Sequence, residues 1–177
     1  MSYPRVLISA SQLQSRVQEL ATEIDRDLAR ETVGFANAVC LVGVLKGSWI
    51  FLADLARAMK TPARIEFLRA SSYGDGKSSS GEIVLRQDLD ASIEGQHVIL
   101  VEDILDTGLT MGYLVDLLRQ RKPLSLRVAV MLSKPCRGQR DVPVDYVSFI
   151  IEDQFVVGYG LDYAEQYRGL PDVCVLD

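Results

Sequence analysis

Val98-Ile99-Leu100-Val101-Glu102-Asp103-Ile104-Leu105-Asp106-Thr107-Gly108-Leu109-Thr110-Met111-Gly112 is the stretch around which the chain is organised. It opens on four apolar residues with no polar alternation, the pattern of a parallel strand covered on both faces. Two carboxylates, Glu102 and Asp103, follow at the C-terminal end of that strand. A short turn then carries Asp106, Thr107, Gly108 and Thr110, and Met111, Leu114, Val115, Leu117 and Leu118 continue as a helix. In open α/β sheets ligands bind beyond the carboxyl ends of the strands. A turn that opens a helix offers an anion free backbone N–H groups and the positive end of the helix dipole. Strand, acidic pair, hydroxyl- and glycine-bearing turn, helix: this order points to a site for a phosphate ester.

Working outward, the same alternation of strand and helix recurs. Ser11 followed by Gln14 fits a capping box. Leu13, Val17, Leu20, Ile24 and Leu28 then repeat at steps of three and four, predicting an amphipathic helix that ends near Gly34. Val39 to Val44 reads as a buried strand, with Lys46-Gly47-Ser48 directly after it. Ser48 is the expected N-cap of a helix with the stripe Phe51, Leu52, Leu55 and Met59, which Pro62 stops. Ala63 to Leu68 alternates as a half-exposed strand does, and Glu82 to Leu85 is its return. Between them lies Ser71 to Gly81, rich in serine and glycine, which reads equally as a loose hairpin tip or as a mobile lid carrying Tyr73. Further strands are expected over Leu126 to Leu132, Asp145 to Ile151 and Val173 to Leu176. The whole predicts one α/β domain over residues 1–177 with a mostly parallel sheet, and no internal repeat or long linker divides it.

Composition narrows the function classes. A chain of 177 residues can bury about 70% of its unfolded surface. The formal charge of -5 argues against general affinity for nucleic acid or an anionic membrane, so an anionic ligand must be held by local donors. Three widely spaced cysteines, no CxxC and a single histidine argue against a disulfide framework or a structural zinc site, and a cytoplasmic location is expected. The N-terminal residues lack the apolar core of a signal peptide, and no apolar run has the length of a membrane span.

The acidic cluster admits several chemistries. Adjacent strand residues point to opposite faces, so Glu102 and Asp103 can serve one ligand only if the strand ends there. With Asp106 they suit sugar hydroxyls, a divalent cation or a general base, and solvated terminal charges are the plain alternative. Thr107, Gly108 and Thr110 can cap the helix and bind phosphate at once, because the same N–H groups serve both. Gly43 to Ser48 lacks the GxxxxGK[ST] spacing of a Walker loop, which disfavours a nucleotide hydrolase. His97, alone at the mouth of the central strand, is assigned no role.

Glu102 through Thr110 closely resembles the phosphoribosyl-diphosphate (PRPP) motif of phosphoribosyltransferases. Val42 to Ser48, Ser72-Tyr73, Lys134-Pro135 and Phe155 through Tyr163 to Arg168 look like the 6-oxopurine branch of that family, so the resemblance covers nearly the whole chain. It implies the type I phosphoribosyltransferase fold, with a small hood from about 134–177 plus the N-terminal segment and a flexible lid from about 70–83. It implies transfer of phosphoribosyl from PRPP to hypoxanthine or guanine, giving a nucleoside monophosphate and pyrophosphate with Mg2+ present. Glu102 and Asp103 would hold the ribose hydroxyls, and Asp106 would take the N7 proton of the purine. Asp106, Thr107, Gly108, Leu109 and Thr110 would cradle the 5′-phosphate, while Lys46, Gly47 and Arg168 would take pyrophosphate. Metal would be held by Glu102, Asp103 and Asp162. Phe155 would stack on the purine, Lys134 would donate to its O6, and backbone at Val156 and Asp162 would meet the exocyclic position. Ser72 and Tyr73 would close over the site. The resemblance also implies a cis Leu45–Lys46 peptide and a homodimer or homotetramer. Glu152, where many relatives have proline, and Gln154 depart from the family pattern beside Phe155. The competing readings are a regulatory nucleotide-binding member of the same fold and a transferase that prefers xanthine or another base.

Overall fold

In the computed structural model, residues 4–31, 39–72, 83–134 and 140–176 are described. The elements in order are β1 (Arg5–Ile8), α1 (Ala10–Glu31), β2 (Val39–Val44), α2 (Trp49–Ala58), β3 (Ala63–Ser72) and β4 (Ile83–Gln87). They continue with β5 (His97–Leu105), α3 (Leu109–Arg119), β6 (Ser125–Ser133), β7 (Tyr146–Ile150), β8 (Val156–Val157) and β9 (Val173–Val175). A six-stranded sheet has the order β4-β3-β2-β5-β6-β7, parallel except for β4, which returns antiparallel to β3. A second, three-stranded antiparallel sheet, β1-β9-β8, joins the N-terminal segment to the tail.

The unbroken apolar run of β5 has a direct structural cause. Ile99 and Val101 join the cluster built with α1 and α2, whereas Val98 and Leu100 join the cluster built with α3. Both faces of the strand are therefore covered, so neither set of positions can be polar. β2 divides in the same way, with Leu41 on one side and Cys40, Val42 and Val44 on the other. After β2 the chain moves outward to β3, and after β5 it moves outward in the opposite direction to β6 and β7. The strand order thus reverses between β2 and β5, and a doubly wound sheet opens its ligand crevice at such a point. The segments leaving these two strands begin at Leu45 and Asp106.

Three local expectations are corrected. The capping box of α1 is Ser9 with Gln12, not Ser11 with Gln14: the Ser9 N–H donates to Gln12 Oε1 at 2.9 Å and the Gln12 N–H to Ser9 Oγ at 3.4 Å. Both pairs have the right spacing, and β1, ending at Ile8, fixes where the helix starts. Ser48 stands at the N-cap position of α2, yet its hydroxyl donates backwards to Val44 O at 2.7 Å and caps nothing. β5 does not end before the acidic pair but runs through it to Leu105, because the β6 ladder continues to Ser133. The end expected for α1 near Gly34, and the body of the expected lid including Tyr73, lie outside the described residues. His97 is buried and its Nδ1 pairs with Ser125 Oγ at 2.8 Å, at the end of β5 away from the crevice. Cys40 and Cys174 are buried free thiols. No helix among the described residues is long and apolar enough to cross a membrane.

Candidate active site

Four segments that leave carboxyl ends of strands meet at the crevice. From β2 comes the turn 45–48, whose Leu45–Lys46 peptide is cis, as the resemblance implies. Gly47 is there because nothing larger fits: a Cβ on it would fall on the Asp103 carboxylate. Its carbonyl oxygen in turn lies against the α-carbon of Gly160, where φ is 102° and a Cβ would strike that oxygen. The turn is therefore clasped between the end of β5 and the tail, which no pattern in the sequence announced.

β5 continues to Leu105, so alternation starts the two acidic side chains on opposite faces, yet their carboxyls still meet, which lets both serve one ligand although the strand does not end there. Glu102 lines a small cavity of about 140 Å³ with Ile104, Asp106, Thr107, Gly108 and Thr110, while the Asp103 carboxylate is directed at Gly47. The two carboxyls share a side-chain hydrogen bond, which favours the proton on Glu102 and the charge on Asp103. Burial, reinforced by the charge of Asp103, pushes the Glu102 carboxyl well above its ordinary range, and its buried Oε2 has no hydrogen-bond partner among the described residues. Burial raises Asp103 to about 6, held back by the Ile104 N–H that donates to its Oδ1 at 2.7 Å.

The turn after β5 is shaped by glycine. Gly108 is the N-cap of α3 at φ 79°, and a Cβ there would strike the carbonyl oxygen of Arg140. The Arg140 N–H donates to Thr107 O at 3.1 Å, and its guanidinium pairs with Asp116 at 2.6 Å across Gly112. The segment after residue 139 thus straps the start of α3. Thr107 Oγ1 accepts the Leu109 N–H at 3.4 Å, which leaves the later first-turn N–H groups beside the small cavity.

Asp106 also lines a cavity of about 410 Å³ with Ile104, Lys134, Asp153, Phe155, Val156 and Asp162. Lys134, at the end of β6, is buried; its N–H donates to Leu105 O at 2.9 Å and its Nζ lies 3.8 Å from Asp153 Oδ1. Phe155 is 54% exposed and meets Tyr163 edge-on, with centroids 5.7 Å apart. An aromatic face held at the rim of such a cavity, with a buried ammonium inside it, suits a planar heterocycle bearing an acceptor. Beside Phe155, Gln154 Nε2 donates to Glu152 Oε2 at 3.3 Å.

The tail completes the crevice. Arg168 donates to Gly160 O at 2.8 Å and pairs with Asp162 Oδ1 at 2.8 Å. Glu165 Oε2 accepts from Lys46 Nζ at 2.9 Å and lies 3.6 Å from Arg168 Nη2.

Comparison with known proteins identifies the family. The phosphoribosyl transferase domain family matches residues 9–164. The hypoxanthine-guanine phosphoribosyltransferase of Bacillus subtilis is 44% identical over 172 residues, covering 97% of this chain and 92% of that protein. The chain belongs to the phosphoribosyltransferase family. It is also 42% identical to the hypoxanthine phosphoribosyltransferase of Haemophilus influenzae, over 93% of this chain and 90% of that one. A solved structure of Trypanosoma cruzi hypoxanthine phosphoribosyl transferase superposes with a TM-score of 0.94 at 40% identity, covering 100% of this chain and 93% of that chain. The fold is the type I phosphoribosyltransferase fold.

Seen as a phosphoribosyltransferase, the structure brings together Lys46, Gly47, Asp162 and Arg168 at one flank, Glu102, Asp106, Thr107, Gly108 and Thr110 at a second, and Lys134, Phe155 and Val156 at a third. Among the described residues no group of three His, Cys, Asp or Glu side chains converges on a common point. Ser72 ends β3, paired with Ile83. Sequence reasoning missed Ile104, Asp153, Gly160 and Glu165. Two of these are carboxylates flanking an assigned cation or aromatic, and proximity to Phe155 and Arg168 in the chain was the available signal.

Proposed function

We propose that this phosphoribosyltransferase serves purine salvage, moving the 5-phosphoribosyl group of PRPP to N9 of hypoxanthine or guanine and giving IMP or GMP and pyrophosphate. The observation that carries the proposal is the position of Asp106, shared by a cavity with Lys134 and Phe155 and by a cavity with Glu102, Thr107, Gly108 and Thr110. A group so placed touches both a base and a ribose 5-phosphate.

The residues divide the reaction as follows. Phe155 stacks on the purine and Lys134 donates to O6, with backbone at Val156 and Asp162 facing the exocyclic position. A buried ammonium left unpaired by the 6-amino group of adenine disfavours that base. Asp106 accepts the N7 proton as the N9 lone pair forms its bond to C1′. The C1′–oxygen bond to pyrophosphate breaks with its electrons leaving on that oxygen. Glu102 and Asp103 hold the ribose hydroxyls and place negative charge beside the oxocarbenium-like centre. Thr107, Gly108, Leu109 and Thr110 hold the 5′-phosphate through the α3 N-terminus. Lys46, Gly47 and Arg168 receive the departing pyrophosphate. Ser72 and Tyr73 belong to the proposal as closure over the reacting centre.

Magnesium fits the donor set, since hard cations take oxygen ligands and usually use one or two carboxylates plus phosphates. Glu102, with its orphaned buried oxygen, and Asp103 would hold one ion and Asp162 another; bound there, magnesium would neutralise charge on the diphosphate. A cytoplasmic location and assembly as a dimer or tetramer belong to the same proposal.

The test is PRPP consumption and pyrophosphate release with a panel of bases. Hypoxanthine or guanine should be used, with adenine, which offers Lys134 no 6-oxo acceptor, trailing by at least about tenfold, whereas faster use of xanthine or uracil would favour the transferase of another base. Lys134→Ala should lose 6-oxopurine use far more than PRPP affinity. Release with no base of the panel, in an enzyme that binds nucleotides, would revive the regulatory reading.

A further inference from the structure

We propose that Glu165 is an internal stand-in for pyrophosphate, its carboxylate occupying the seat between Lys46 and Arg168 that an arriving diphosphate must take. The proposal rests on the reading of this crevice as a PRPP site and adds to it the residue that sets how tightly the diphosphate is held.

One carboxylate oxygen, Glu165 Oε2, draws cations from two separate parts of the chain: Lys46 Nζ at 2.9 Å and Arg168 Nη2 at 3.6 Å. Arg168 stays in place without it, because Asp162 Oδ1 and Gly160 O each hold its guanidinium at 2.8 Å. Lys46 has no comparable second anchor among the described residues, and its side chain is 44% exposed. Glu165 is 65% exposed, so burial locks neither partner, and exposed ion pairs of this kind exchange readily.

The turn that carries Glu165 is built to aim it. Tyr163 and Gln166 exchange backbone hydrogen bonds in both directions, at 3.2 and 2.9 Å, closing a two-residue turn. Its central residues, Ala164 and Glu165, have φ of 50° and 63°, the left-handed pair that a type I′ turn demands and that glycine or asparagine usually supplies. The Glu165 N–H donates to Asp162 Oδ2 at 2.8 Å, which ties this backbone to the carboxylate that also holds Arg168. The backbone is thereby fixed while the side-chain torsions remain free. A carboxylate can withdraw when a more highly charged diphosphate arrives and return as it departs. It keeps the two cations compensated and lowers diphosphate affinity by the strength of the contacts it gives up, which favours product release.

The test uses the full chain and its Glu165→Gln variant, with Mg-pyrophosphate titrated by calorimetry and PRPP followed in steady state. Exposed pairs of this strength predict pyrophosphate binding about two- to fivefold tighter in the variant, with KM for PRPP lowered alike and pyrophosphate dissociation slowed. Glu165→Ala, which offers no amide donor, should move in the same direction. In a Lys46→Ala background the gain should shrink, which separates a specific seat from a general loss of negative charge. Unchanged or weaker pyrophosphate binding in both Glu165 variants, or an undiminished gain without Lys46, would overturn the proposal alone. Absence of pyrophosphate binding by the wild type would overturn the PRPP reading and this proposal with it.

Discussion

Glu102 and Asp103 show how a site can oppose the stability of the fold that holds it. Burial raises both carboxyls above their ordinary range, Asp103 to about 6, so the folded protein binds these protons more tightly than the unfolded chain does. Stability drawn from the protonated forms is complete below the unfolded-state values and is lost, for Asp103, as pH rises through about 6. Neutral pH therefore leaves the Asp103 charge unfavourably buried, and any ionisation of Glu102 beside it adds to that cost, part of which a neutral isostere at Glu102 relieves. Thermal melts in EDTA should place Glu102→Gln a few degrees above the wild type at pH 7.5, since about 1 kcal/mol shifts a domain of this size by about 2–4 °C. The difference should narrow as pH falls toward 5. The same variant should lose transferase activity, as residues arranged for a cation and a ribose are not arranged for stability.

At the level of elements, the strand–turn–helix unit of β5 and α3 works only because its neighbours leave room for it. Gly47 is the sharpest case, since a methyl group at its α-carbon would occupy the position of the Asp103 carboxylate. The expected result for Gly47→Ala is an intact fold by circular dichroism with kcat/KM down on the order of 10²-fold, the cost of displacing a positioned group by about 1 Å. The acidic pair was legible in the sequence, as were the turn and the helix behind it. That Gly47 makes room for Asp103, and that Gly108 admits the Arg140 backbone, was not legible, because each depends on a contact between residues far apart in the chain.

The whole molecule is held together across its two sheets by polar contacts from the tail. Asp172 Oδ1 accepts the Ala10 N–H at 2.7 Å, adding a cap to α1 from the far end of the chain, and Tyr159 donates to Asp54 on α2 at 2.8 Å. Burial pushes the Tyr159 phenol above its usual range, so it remains a donor at any physiological pH. Asp172→Ala should lower stability by about 1 kcal/mol, the usual worth of a cap, read as a reduced urea midpoint with an unchanged m-value. Transfer activity should survive at low temperature, since Asp172 touches neither cavity.

Local pattern by itself determined the alternating α/β order, the buried central strand and the phosphate-type turn, because periodicity and turn chemistry report on nearest neighbours. The motifs spread along the chain added the PRPP and purine residues by resemblance. Tertiary structure alone decided that the strand order reverses between β2 and β5, so that the segments starting at Leu45 and Asp106 share one crevice. It alone showed that β5 runs on through its carboxylates, directing Glu102 to the turn and Asp103 to Gly47. It alone set Glu165 between Lys46 and Arg168. Contacts across 119 positions of chain, as between Lys46 and Glu165, leave no trace in local spacing, because the free energy that selects them comes from closing the fold.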